Sequence, residues 1–294
     1  MRLANVDERA VFIDGDRVVD VADASGGRLG TDPMAVLEHW EQAVDWARGV
    51  DLDLASHVAE AVLRRAGPPV PRPRQVFALA LNYRPHAAEV GFEPPEHPLV
   101  FTKYPSCLVG PCATVTLPSE FVDWETELVV VIGRGGYRIA ADRAWAHVAG
   151  LTVGQDLTER RVQVAGKPAQ FSLSKSFPGF GPTGPVLVTP DEFPDPDDLG
   201  VTCLLGETVV QQARTTEMIF PVPDIIARIS AICPLLPGDL IFTGTPAGVG
   251  ATMNPERYLR PGDVLTSRID GIGEIRTTFT VDPATEPAGE RPVP

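Results

Sequence analysis

The sequence predicts a β-rich α+β protein, a mixed roll, barrel or sandwich led by a small α/β unit. Three observations carry this. From Gln75 onward, short β-branched apolar runs alternate with Gly/Pro turns, a spacing that favours such a fold over a doubly wound sheet. Residues 67–73 read Gly-Pro-Pro-Val-Pro-Arg-Pro, which cannot hold a helix and marks a linker. The chain has 294 residues, 44% of them hydrophobic, ample for one large core and a small one. The expected units are a leading domain at 1–66, a linker at 67–74, a catalytic-sized domain at 75–282 and a Pro-rich disordered tail at 283–294.

In the leading unit, Ala10 to Ile13 and Arg17 to Val21 flank Asp14-Gly15-Asp16, a hairpin signal. Thr31 or Asp32 followed by Pro33 starts a helix that runs through Leu37 and Trp40 to Trp46. A second helix fits Leu54 to Arg65. In the main domain, strands are expected at Val76 to Leu81, Leu99 to Thr102, Thr114 to Leu117, Leu128 to Ile132, Val148 to Val153, Val201 to Leu205, Leu240 to Thr243 and Val264 to Ile269. Asp224 to Ile232 reads as a helix. There are no internal repeats.

The formal net charge of −14 argues against a nucleic-acid binder and against attraction to anionic membranes. No charged-then-apolar leader precedes the first strand and no apolar run reaches spanning length, so a cytoplasmic protein is expected. Cys107, Cys112, Cys203 and Cys233 form no CxxC pair and read as buried, reduced thiols. Lysine occurs only at Lys103, Lys167 and Lys175. Against a strong arginine bias, each is a candidate for chemistry that arginine cannot supply.

The most telling segment is Trp124-Glu125-Thr126-Glu127, which leads into the strand Leu128 to Ile132. Alternate strand residues share a face, so both carboxylates project together. Val148 to Val153 ends in Gly154-Gln155-Asp156 and brings a third. Either these are solvated acids at strand ends, or they form an oxygen-only site suited to Mg²⁺, Mn²⁺ or Ca²⁺. His86 and Glu89 lie three apart on a short helix that Pro85 can start. They are either a surface pair or a carboxylate-oriented general base for water. The glycines of 244–250 let backbone N–H groups converge on an anion, although such turns are often only turns. Lys103 and Lys175 each end an element, as solvated lysines or as ligands.

Taken in order, these segments resemble the fumarylacetoacetate hydrolase family from about Val76 to Phe279. The match includes Asn82-Tyr83-Arg84-Pro85-His86-Ala87-Ala88-Glu89, Phe101-Thr102-Lys103, the Glu-x-Glu strand, Asp156 to Arg160 and Lys175-Ser176-Phe177. It continues through Gly184-Pro185, Leu236 to Asp239, residues 243–250, Pro261-Gly262-Asp263 and Gly271-Ile272-Gly273. The resemblance implies a mixed β-roll catalytic domain, a homodimer, and a divalent cation (Mg²⁺ or Mn²⁺, with Ca²⁺ as an alternative) held by Glu125, Glu127 and Asp156. It implies a water-activating His86–Glu89 pair and a substrate-contacting, catalytic Lys175. Tyr83, Lys103, Arg160, Gly244 and Thr245 would bind a small 2-oxo or 1,3-diketo acid.

The implied reaction is hydrolysis of a C–C bond in an acylpyruvate-like 1,3-diketo acid. The runner-up is isomerisation of a 2-hydroxy-diene-dioate, or decarboxylation of a β-keto acid such as oxaloacetate, at the same site. Arg161, Pro178 and Leu205 depart from the family pattern, the first two near the presumed pocket. Arg161 and Pro178 would fit a non-catalytic binding protein that retains the metal site.

Overall fold

The computed structural model describes residues 1–50, 56–57 and 62–281. Half of the helix expected at 54–65 falls outside the described residues, and within it Ser56–His57 is a strand paired with Arg17 and Val18 rather than helix. The tail from 283 also lies outside the described residues.

Among the described residues, a 12-stranded mixed sheet dominates. Its first eight strands are β1 (Arg2–Val6), β2 (Arg9–Asp14), β3 (Arg17–Asp20), β4 (Ser56–His57), β5 (Ala66–Gly67), β6 (Val76–Ala80), β7 (Leu99–Thr102) and β8 (Leu108–Val109). After them, β9 (Thr114–Leu117) belongs to a second sheet and β10 (Val122–Asp123) to a two-stranded ribbon. The large sheet continues with β11 (Thr126–Ile132) and β12 (Val148–Gln155); β13 (Thr158–Glu159) completes the ribbon and β14 (Gly181–Val188) returns to the sheet. Next come β15 (Gly200–Leu205), β16 (Thr208–Arg214), β17 (Leu240–Phe242), β18 (Val264–Ile269) and β19 (Gly273–Val281). The large sheet runs β4-β3-β2-β1-β14-β12-β11-β17-β6-β7 and does not close into a barrel; the second sheet runs β16-β15-β18-β19-β9.

The leading hairpin β2–β3 forms as expected, with Gly15 at φ +60° in its turn. Its sheet does not stand apart: β1 pairs with β14 edge to edge, so the leading strands extend the large sheet. The single helix expected from Pro33 to Trp46 is instead two, Pro33–Glu38 and Trp40–Ala47, broken at His39 (φ −115°, ψ 38°). The apolar spacing reads through the break because Val36, Leu37, Trp40 and Ala43 enter one core. Cys112 is exposed, against the expectation of a buried thiol, whereas Cys107 and Cys203 are buried.

Strand β11 shows why the centre of the sheet is apolar without alternation. Leu128, Val130 and Ile132 pack on one side, with the helix Val222–Ser230 and the second sheet. Val129 and Val131 pack on the other, with the two leading helices. A strand covered on both faces selects apolar residues at every position. Polar chemistry is displaced to the strand ends, where Glu125, Glu127 and Asp156 lie.

Candidate metal centre and active site

Strands β11 and β12 set the spacing of the carboxylates. They pair antiparallel, with Glu127 opposite Gly154 and Thr126 opposite Gln155. The pairing continues one step beyond, where the Asp156 N–H donates to the Glu125 carbonyl at 2.9 Å. The Gln155 side chain then locks the strand ends together: its Oε1 accepts from the Glu125 N–H at 2.9 Å, and its Nε2 donates to Thr126 and Ser267 hydroxyls at 2.7 and 2.8 Å. Glu125, Glu127 and Asp156 are all buried, and one oxygen of each lies within 4.8 Å of the others.

Cations crowd two of these acids and leave the third without one. Lys175 Nζ donates to Glu125 Oε2 at 2.7 Å and to Asp156 Oδ2 at 2.6 Å. Lys103 Nζ donates to Asp156 Oδ1 at 2.7 Å, and Arg160 to Glu125 Oε1 at 2.7 Å. Burial opposes ionisation of Glu125, but Lys175 and Arg160 override it and hold its carboxyl below the usual range. Glu127 goes the other way. Burial first, then the neighbouring Asp156 and Glu125 charges, push its carboxyl well above that range. Its Oε2 accepts from the Gly244 N–H at 2.7 Å, and its Oε1 is buried without a partner. An orphaned buried carboxylate oxygen among three hard donors fits a divalent cation held by Glu125, Glu127 and Asp156.

The expected His86–Glu89 pair is assembled on the short helix Arg84–Glu89. His86 Nδ1 lies 2.9 Å from Glu89 Oε2. Glu89 is itself held by the Gly248 N–H at 2.9 Å and the Thr252 hydroxyl at 2.7 Å. Burial opposes ionisation of Glu89, yet these bonds, led by His86, keep its carboxyl below the ordinary range. A carboxylate on Nδ1 favours the tautomer that leaves Nε2 as the base. The helix is anchored by Asn82, whose side chain bonds Phe220 N, Phe220 O and Thr243 O.

The glycine-rich loop holds the protein's own acids. Gly244 N–H donates to Glu127, Gly248 N–H to Glu89, and the Gly250 and Ala251 N–H groups to Asp123 at 2.8 and 3.0 Å. Gly244 sits at φ +95°, and a Cβ there would come 2.7 Å from Asn82 Cβ. Only glycine serves at that position.

A cavity of about 580 Å³ opens onto the centre, and its walls include His86, Glu125, Arg160, Lys175 and Thr245. Thr245 is pinned by bonds to the Thr126 carbonyl and Gln211. Other expected residues are placed elsewhere. Lys103 is fully buried and outside the cavity wall; besides Asp156 it binds the carbonyls of Lys175 and Phe180. Tyr83 is buried in the core with an unpartnered hydroxyl, and its ionisation is pushed up by burial and by Glu127. Arg161 and Pro178 do not line the cavity; the Arg161 guanidinium lies 3.3 Å from the Phe121 ring centre, over a separate depression.

Sequence reasoning did not single out Asp123 or Thr158. Asp123 accepts from Arg160 Nε at 2.8 Å and so ties Glu125's cation to the glycine loop. Its signal was visible, because Asp123, Glu125 and Glu127 share the two-residue strand period. Thr158 accepts from Lys175 Nζ at 2.8 Å and had no comparable pattern.

Residues 75–280 match the model of the fumarylacetoacetate (FAA) hydrolase C-terminal family. The human mitochondrial oxaloacetate tautomerase FAHD2A is 43% identical over 209 residues, 70% of this chain and 67% of that protein. A crystal structure of a putative HpcE protein from Mycobacterium smegmatis has TM-score 0.91 and 52% identity, covering 96% of this chain and 99% of that one. Maleylpyruvate hydrolase from Sphingobium sp. SYK-6, solved with manganese(II) and pyruvate, has TM-score 0.74 and 27% identity, covering 96% and 99%. On this match and this centre, the chain belongs to the fumarylacetoacetate hydrolase family of enzymes.

Proposed function

We propose that this protein is a divalent-metal-dependent hydrolase that cleaves a C–C bond in acylpyruvate-like 1,3-diketo acids. The observation that carries the reading is His86, held by Glu89, which lines the same cavity as Glu125 of the carboxylate centre. When bound by Glu125, Glu127 and Asp156, Mg²⁺ or Mn²⁺ supplies Lewis-acid polarisation of the 2-oxo acid oxygens. The manganese and pyruvate in the Sphingobium relative support that assignment.

The chain's own residues do the rest. His86, oriented by Glu89, takes a proton from water, and the hydroxide adds to the distal carbonyl. The C–C bond breaks, releasing a carboxylic acid and a pyruvate-type enolate, which takes a proton to become pyruvate. Lys175 and Arg160 place positive charge beside Glu125, where the 2-oxo acid end is seated. Thr245 lines the same wall, with its hydroxyl proton committed to the Thr126 carbonyl. Lys103 and the glycine loop hold the acids in register.

A second reading is favoured by the relatives' names, an oxaloacetate tautomerase and a 5-carboxymethyl-2-hydroxymuconate isomerase. There His86 would move a substrate proton between carbon and oxygen, with no water added. Pyruvate release from an acylpyruvate in the presence of Mn²⁺, abolished in His86→Ala, tests the first reading. Enol-to-keto conversion of oxaloacetate without acyl cleavage would instead support the second. A cytoplasmic homodimer is the working form, to be checked by cell fractionation and light scattering. No described helix is long and apolar enough to cross a membrane.

A further inference from the structure

We infer that the cavity selects substrates whose distal arm is apolar, an aliphatic or aryl acyl group, and rejects those ending in a second carboxylate. The inference rests on the proposal that the 2-oxo acid end sits beside Glu125, and deepens it by naming the substrate class. Two features carry it.

The first is where the cavity's fixed charges lie. Its lysine and arginine, Lys175 and Arg160, both bond the same acid, Glu125. Arg160 is further engaged by Asp123 and Gln163, and Lys175 by Asp156 and Thr158. Both are therefore gathered at the carboxylate centre, and His86 is paired with Glu89. No other cationic side chain lines this cavity among the described residues. The second feature is the remaining wall. Leu79, Leu81, Val90, Leu99, Phe171 and Val249 come from five separate segments and converge on it. Phe171 is fixed by stacking on Phe101, with ring centres 5.5 Å apart.

An alkyl or aryl arm exchanges water for these side chains favourably. A terminal carboxylate in the same place loses water and meets no counter-charge, a desolvation that is not repaid. Sites discriminate strongly when a substrate group is left unpaired.

The test uses a length-matched pair, 2-oxooctanoate and 2-oxooctanedioate, bound to the full chain with saturating Mn²⁺ and followed by calorimetry. The mono-acid is expected to bind at least about tenfold tighter than the dioate. Leu99→Arg, a cation placed at the half-exposed rim, is expected to narrow that ratio severalfold. Equal or tighter binding of the dioate, or no binding of the mono-acid, overturns the inference. Octanoylpyruvate assayed for pyruvate release tests the reaction separately. If no pyruvate forms but the mono-acid preference holds, the hydrolytic reading fails and the selectivity stands.

Discussion

At the carboxylate centre, each acid is tied to parts of the chain far apart in sequence. Lys103 reaches across 53 residues to Asp156, and Gly244 across 117 to Glu127. At the cavity rim, Val164 is 65% exposed on a helix of five residues, and Phe171 sits on one of four. The difference separates two tasks. Chemistry needs groups held to fractions of an ångström, and long-range bonds at the ends of buried strands supply that. Choice of acyl arm needs only an apolar wall, which short surface helices provide and can vary at little cost in stability.

The largest expected effect falls on the centre. Asp156→Ala leaves the buried Lys103 ammonium without an acid and Lys175 with Glu125 alone, and is expected to cost about 3–5 kcal/mol in chemical denaturation. If the loss stays below about 1 kcal/mol, the long-range bonds do not hold the centre. Lys103→Met sharpens the contrast. It is expected to lose about 3 kcal/mol, because Asp156 and two carbonyls lose their donor. Preference among acyl chains should not change, since Lys103 forms no part of the wall; an altered chain-length profile would place it in the cavity after all.

Smaller effects follow. Glu89 has its carboxyl lowered by His86 and the loop, so its stabilisation is complete above the ordinary carboxylate range. It is lost as pH falls through the lowered value. Partial exposure limits it, and Glu89→Gln should cost about 0.5 kcal/mol at pH 7. Denaturation repeated at pH 3 should show a narrower gap; a wider one reverses the sign. Val164→Ala at the rim should change stability by less than about 0.5 kcal/mol while shifting the preferred acyl length. A large stability loss there would make the rim part of the rigid frame.

How much of this was legible follows from the range of the forces involved. Strand β11 and the Glu125/Glu127 alternation are local patterns, and they read directly. Strand β14 was missed because Gly181-Pro182-Thr183-Gly184-Pro185 carries turn residues, and only pairing with β1 and β12 makes it a strand. The glycine loop announced an anion but not which one; its acceptors are Glu127, Glu89 and Asp123, distant in sequence. Lys103 and Lys175 looked alike as rare lysines, and only tertiary packing puts one behind Asp156 and the other in the wall. His39 breaks a helix without a glycine or proline to mark it.

Direct cation binding tests the central assignment best. Mn²⁺ titrated into the metal-free chain and followed by electron paramagnetic resonance should fill one site per chain. Glu127→Gln removes the charge on the unpartnered oxygen, and should weaken binding by about 100-fold or more while circular dichroism stays unchanged. No stoichiometric Mn²⁺ in the unaltered chain, or equal affinity in the variant, would mean that Glu125, Glu127 and Asp156 do not form the metal centre.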